Sequence, residues 1–139
     1  MAVIARLKGS LIDEMIQHAR EEAPNECCGL LASKDGDIIA IHRAKNAEAS
    51  PYRFSIDAKE QLRIQDEMDE AGTDWAGFYH SHTGSPAVPS PTDIRQMSTF
   101  FGPPYVHFVI GIKDPENPEV RVWYIEDGDK IEHEYETID

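Results

Sequence analysis

The chain has 139 residues, of which 40% are hydrophobic and 28% charged, the balance of a single soluble globular domain with a real core, spanning 1–139. Its formal net charge of -13 repels phosphate backbones, so no nucleic acid is expected as a partner. No apolar run is long enough to span a bilayer, and MAVIARLKGS lacks the apolar region and cleavage site of a secretory signal; no membrane association is expected, and the expected location is the cytoplasm.

In chain order, AVIARL (2–7) reads as a short strand. Residues 10–23 read as a helix, with Ile12, Met15, Ile16, Ala19 and Ala23 on one face, Ser10 as N-cap, and Pro24 and Asn25 as the stop. The only cysteines, Cys27 and Cys28, are adjacent. Neighbouring cysteines rarely bridge, and there is no C-x-x-C, so they are expected to pack near a strand start. CCGLLAS, the turn KDGD and IIAIHRA form a hairpin pattern ending at 44. NAEASP is a loop, and YRFSI (52–56) reads as a further strand.

Asp57, followed three residues later by Glu60, has the pattern of a capping box. The helix it opens should point Ile64, Met68 and Ala71 inward and close at Gly72. DWAGFYHSH (74–82) is a strand that turns polar at its end, TGSPAVP a proline-stiffened loop, and SPTDIRQMSTF the start of a short helix. YVHFVIGI (105–112) is the most apolar strand and is expected at the sheet's centre; VRVWYI and KIEHEYE follow. This mixed order predicts an α/β (α+β) domain, with α/β/α layers around one mixed sheet.

The segment HSHTGSPAVPSPTD carries the chemistry. Helix capping accounts for Ser90 and Asp93 on its own, with Ser at the N-cap, Pro next and Asp in the first turn. It does not account for His80 and His82. Residues i and i+2 of a strand share a face, and two imidazoles side by side repel if charged and are costly to bury unpartnered. A shared metal removes the difficulty. If the loop folds back, Asp93 completes a His2Asp set with one position open, as in catalytic zinc sites; the same set also suits iron. Zinc lowers the pKa of its water to about 7. Glu26, between a helix end and the apolar run of PNECCGLL, is the candidate to move that water's proton. Ser90 is the candidate oxyanion donor, a role expected to compete with capping, since the hydroxyl has a single proton. His18, His42, His107 and His133 read as structural.

Glu26 upstream, then His80-Ser81-His82, seven residues, Ser90, two residues and Asp93, resembles the JAMM (MPN+) metallopeptidase signature at every position. PNECCGLL, NAEASPYRF and YHSHTGSPAVPSPTD are similar to segments of its small bacterial branch, the Mec or CysO-cysteine peptidase type, and the likeness covers nearly the whole chain. The resemblance implies one Zn²⁺ held by His80, His82 and Asp93, Glu26 as general acid/base and Ser90 as oxyanion donor. It implies a cytidine-deaminase-like fold. It also implies, as partner, a ubiquitin-like sulfur-carrier protein, cut after its C-terminal Gly-Gly. The doubled cysteine at 27–28 departs from a single cysteine beside the glutamate and bears on the packing behind Glu26. The alternative from another class is a non-catalytic MPN-type scaffold, which has no physical need for the complete donor set. A nucleobase deaminase needs H-x-E and P-C-x-x-C, and neither is present. Oligomeric state, the carrier's identity and the cause of the acidity are not encoded in any motif of the chain.

Overall fold

A computed structural model describes residues 2–139. In chain order the elements are β1 (Val3–Lys8), α1 (Gly9–Glu22), β2 (Cys28–Lys34), β3 (Asp37–Ala44), α2 (Ala58–Ala71), β4 (Asp74–His82), α3 (Pro91–Met97), β5 (Val106–Gly111), β6 (Glu119–Glu126) and β7 (Asp129–Ile138). The strands form one mixed sheet in the order β1-β3-β2-β4-β5-β6-β7. It curls until β1, parallel to β7, also meets β3 through Leu7 and Ile38. Among the described residues β1 is parallel to both β3 and β7, and β4 is parallel to β5, whereas β2–β3, β5–β6 and β6–β7 are antiparallel hairpins and β2–β4 is an antiparallel pair joined through β3 and α2.

Alternation along the strands builds two cores. Leu31, Tyr79, Phe108, Ile110 and Val122 face one way and meet Leu11, Met15 and Ala19 of α1. Leu30, Ala32, Phe78 and Ile125 face the other way and meet Ile64 and Met68 of α2 and Met97 of α3. The expected α/β/α layering is therefore present, because neither face of the sheet is polar enough to be left to water. β5 is buried at all six residues, His107 included, and lies between β4 and β6, as expected of the most apolar strand. Both cysteines are free and buried, packed on opposite faces at the start of β2.

Four local expectations are corrected. α1 starts at Gly9 with Lys8 at its N-cap and no side-chain cap, so Ser10 lies inside the helix. Asp57 does cap α2, through Lys59 N, but Glu60 does not close a box; its carboxylate accepts from Lys45 N and pairs with Arg63. Ala71 is exposed beside the left-handed Gly72 (φ 70°), while Ile64 and Met68 are buried as expected. Residues 52–56 are not a strand. Their β-forming side chains are used differently: Phe54 leaves the backbone to stack on His80 with ring centroids 4.5 Å apart. The backbone there is held by Asn46, whose Oδ1 accepts from Ser55 N and whose Nδ2 donates to Arg53 O. A side chain therefore supplies the bonds that a sheet ladder would have supplied.

Candidate metal centre

The C-terminal half of β4 is paired on both sides, with His80 opposite Cys28 of β2 and Val109 of β5, and His82 opposite Gly111. A strand fixed on both edges sets its alternate side chains rigidly. His80 and His82 point to the face that carries α3, and Ser81 points to the other. Ser81 accepts from Cys27 N at 2.8 Å and its own amide donates to Cys27 O at 3.1 Å. That clasp locks the residue after Glu26 to the strand that carries the histidines. Glu26 is held at its own backbone too: its N–H donates to Ser50 O at 2.8 Å and its carbonyl accepts from Asn46 Nδ2 at 3.1 Å.

Opposite β4, Ser90 starts α3. Its Oγ accepts from Asp93 N at 3.1 Å, and Asp93 Oδ2 accepts from Ser90 N at 2.9 Å, a closed capping box. The same Oδ2 lies 3.0 Å from His80 Nε2 and 3.1 Å from His82 Nε2, and the two Nε2 atoms are 3.1 Å apart. The cap thus aims the carboxylate. Ser90 uses an oxygen lone pair for this, so its proton stays available; the conflict expected between capping and donating does not arise.

All three donors are buried, with Glu26 the fourth member of a cluster whose candidate ligand atoms lie within 4.8 Å of one another. Two features show that the residues fit a cation. First, four-coordinate zinc with bonds of about 2.0–2.1 Å has donors about 3.3–3.4 Å apart, close to the triangle found here. His82 Nδ1 lies 2.9 Å from Pro86 O and donates to it, which leaves the Nε2 lone pair facing the other two acceptors. Second, Glu26 Oε1 is buried without a hydrogen-bond partner. It adjoins a cleft of about 350 Å³ lined also by His82 and Ser90. A buried polar atom left alone is costly, and here it faces the space a reacting group would fill.

The electrostatics agree. Burial pushes Glu26 up to about 8, with His82 opposing and Asp93 adding to the shift. Burial also works against charge on Asp93, but His80 and His82 more than offset it and hold the carboxyl well below its usual range. Burial opposes protonation of His82, yet the Asp93 carboxylate outweighs it and raises the imidazole. A cation placed among them would take over from that proton and pull Glu26 downwards. The thiols do not compete as nucleophiles: burial pushes Cys27 up to about 12 and Cys28 higher still.

Residues 8–126 match the family model described as prokaryotic homologs of the JAB domain. The chain belongs to that family. This JAB-domain chain is similar to the CysO-cysteine peptidase of Mycobacterium tuberculosis (strain ATCC 25618 / H37Rv), at 34% identity over 136 residues, covering 96% of this chain and 90% of that one. It is similar to the desampylase of Haloferax volcanii at 39% identity over 105 residues, covering 70% and 73%. The solution structure of protein DSY2949 from Desulfitobacterium hafniense superposes with a TM-score of 0.84 at 32% identity, over 97% of this chain and 93% of that one. The named relatives are a peptidase and a desampylase.

The structure brings together all five residues singled out from the JAB-domain sequence. It adds four supports: Phe54 stacked on His80, Pro86 O orienting His82, Ser81 clasping Cys27, and Asn46 tying Glu26 to the 53–55 segment. Asn46 opens a proline-containing polar loop, and that position was the one available signal, since Asn side chains there bond the backbone. The other three depend on contacts far apart in sequence. His18, His42 and His107 bond Tyr79, Glu67 and Phe101 O respectively, outside the centre, in keeping with structural roles.

Proposed function

We propose that this protein is a zinc-dependent peptidase or isopeptidase, cutting the amide bond after the C-terminal Gly-Gly of a ubiquitin-like sulfur-carrier protein in the cytoplasm. One observation carries the reading: a buried His80–His82–Asp93 triangle clusters with Glu26, whose unpartnered oxygen adjoins a cleft lined also by His82 and Ser90. The relatives' names supply the substrate class, a CysO-cysteine linkage in one and, in the Thermus thermophilus relative, TtuB-protein conjugates. A non-catalytic scaffold leaves the cost of burying four donors without a return.

His80, His82 and Asp93 would hold one Zn²⁺, which supplies Lewis acidity toward the scissile carbonyl and makes water acidic enough to attack at neutral pH. Glu26 Oε1 accepts the proton of the attacking water and returns it to the nitrogen that leaves. Its burial keeps bulk water from relaying that proton elsewhere. Ser90 donates its hydroxyl proton to the oxygen that gains charge as the carbonyl becomes tetrahedral. The α3 cap holds that hydroxyl in place before substrate arrives, so no reorganisation is needed at the reacting atoms.

The test is metal analysis of the purified protein, followed by incubation with carriers bearing an amino acid or a protein lysine after Gly-Gly. We expect one zinc per chain and release of the intact carrier, with both lost in His82→Ala. Full activity with stoichiometric zinc in His82→Ala would overturn the reading.

A further inference from the structure

Residues 84–89 lie between β4 and α3, and their place decides where Pro86 O meets His82. The segment belongs to no helix or strand, and Pro86 and Pro89 bring no N–H donors to it. Apart from the bond to His82, the hydrogen bonds that tie it to the rest of the chain, among the described residues, are both made by Ala87. Both end on side chains of β6. Ala87 N donates to Glu119 Oε1 at 3.1 Å, and Ala87 O accepts from Trp123 Nε1 at 3.1 Å.

The geometry of the sheet explains the reach. Glu119, Arg121 and Trp123 share one face of β6 and sit opposite Gly111, Val109 and His107 of β5. His82 pairs with the same Gly111 from the other side. The segment lies against that glycine, where a Cβ would stand 3.2 Å from Ala87 N and 3.4 Å from Ala87 Cβ. Ala87 is fully buried and packs with Val109 and Trp123. The indole is itself held. It is 5% exposed, and the Arg121 guanidinium lies 4.9 Å from its ring centroid. That guanidinium also donates twice to the Glu132 carboxylate of β7, at 2.8 and 2.6 Å.

We propose that Trp123 is a positioning residue for the metal centre: its indole N–H, working with the Glu119 carboxylate, fixes Ala87 and so holds the neighbouring Pro86 O against His82 Nδ1. The proposal rests on the zinc site proposed above. His82 offers its Nε2 lone pair to a cation only in the tautomer that carries the proton on Nδ1. Pro86 O selects that tautomer and sets the ring plane. A loop carbonyl can do this only where the loop is stiff, and no ladder stiffens 84–89. Trp123 and Glu119 bond both backbone groups of Ala87 instead, from a strand paired on both edges. Without the indole N–H, the carbonyl of a fully buried residue is left unpaired. The segment relieves that cost by shifting, and Pro86 O moves with it.

The test reads zinc affinity of the folded chain by competition with a chromophoric chelator. Trp123→Phe keeps a ring in place but cannot donate. It should weaken zinc binding about 10–100-fold, the cost of losing an outer partner of a ligating histidine. Glu119→Ala should weaken it about tenfold, whereas Glu119→Gln, whose amide oxygen still accepts from Ala87 N, should stay within about twofold of wild type. Glu119 is exposed, so this pair decides the matter even where Trp123→Phe does not fold. Leu11→Ala, in the core on the opposite face of the sheet, controls for lost stability alone and should bind zinc as wild type does. In zinc-loaded protein the His82 Nδ1–H proton should exchange with water about tenfold faster in Trp123→Phe than in wild type, because local opening exposes it. Unchanged zinc affinity in folded Trp123→Phe or in Glu119→Ala, or an equal loss in Leu11→Ala, overturns the positioning role. Wild type that takes up no zinc overturns the metal reading and this inference with it.

Discussion

Glu26 has a raised pKa for a definite reason, and that reason makes its stability effect predictable. The folded value, about 8, lies above the ordinary 4.5 because burial penalises the charge. The folded metal-free protein therefore binds this proton more tightly than the unfolded chain does. Its contribution is full below about pH 4.5 and is lost as pH rises toward 8. Glu26→Gln removes that loss. In chelated protein it should be more stable than wild type at pH 8, by roughly 1–3 kcal/mol, and little different at pH 4. With zinc restored, Gln cannot accept a proton, and turnover should fall at least 10²-fold with metal content kept. Urea titrations at the two pH values and zinc analysis measure both effects. Equal stability at pH 8, or loss of zinc, would remove Glu26 from the role given to it.

At the level of elements, α3 is only seven residues long and depends on its first turn. Pro91 fixes the entry, Ser90 and Asp93 close the box, and Met97 plugs into the core under α2. Because Asp93 Oδ2 also faces both imidazoles, the cap and the metal face share one atom. Ser90→Ala should thus show two separable losses. Stability should drop by about 0.5–2 kcal/mol from the lost cap. The kcat of the folded enzyme should drop about 10²–10³-fold from the lost donor. Ser90→Thr should recover most of the stability and less of the rate. If the alanine variant turns over normally per folded molecule, capping is all that Ser90 does.

For the molecule as a whole, the centre joins three parts of the chain: the entry to β2, the end of β4 and the start of α3. Zinc held by His80, His82 and Asp93 would link the last two in the folded state only, so it should stabilise by mass action, about 2.7 kcal/mol at a hundred times its Kd. For a domain of this size that is a rise of roughly 6–12 °C in Tm. Thermal unfolding with chelator and with excess zinc should show this rise, and His82→Ala should abolish it. The variant is the necessary control, because a chain of net charge -13 also collects cations weakly on its surface. An equal rise in both proteins would mean that the stabilising zinc is bound elsewhere.

What the sequence determined by itself is local. Spacing of two in a strand put His80 and His82 on one face, the Ser-Pro-x-Asp pattern started α3, and the most apolar run marked β5 as interior. Each follows from backbone periodicity or from the orphan groups of a helix end, which neighbours in the chain settle between them. The tertiary structure decided everything that needed two distant segments at once. It turned 52–56 from a candidate strand into an Asn46-held loop, because a ladder partner never arrives and a side chain satisfies the backbone instead. It curled the sheet until β1 met both β7 and β3. It left Glu26 buried with one oxygen unpartnered; its place before the apolar run of PNECCGLL points to partial burial but not to the oxygen left without a partner. Burial is a property of what packs around a residue, and for Glu26 those groups lie near positions 50, 80 and 90 of the chain.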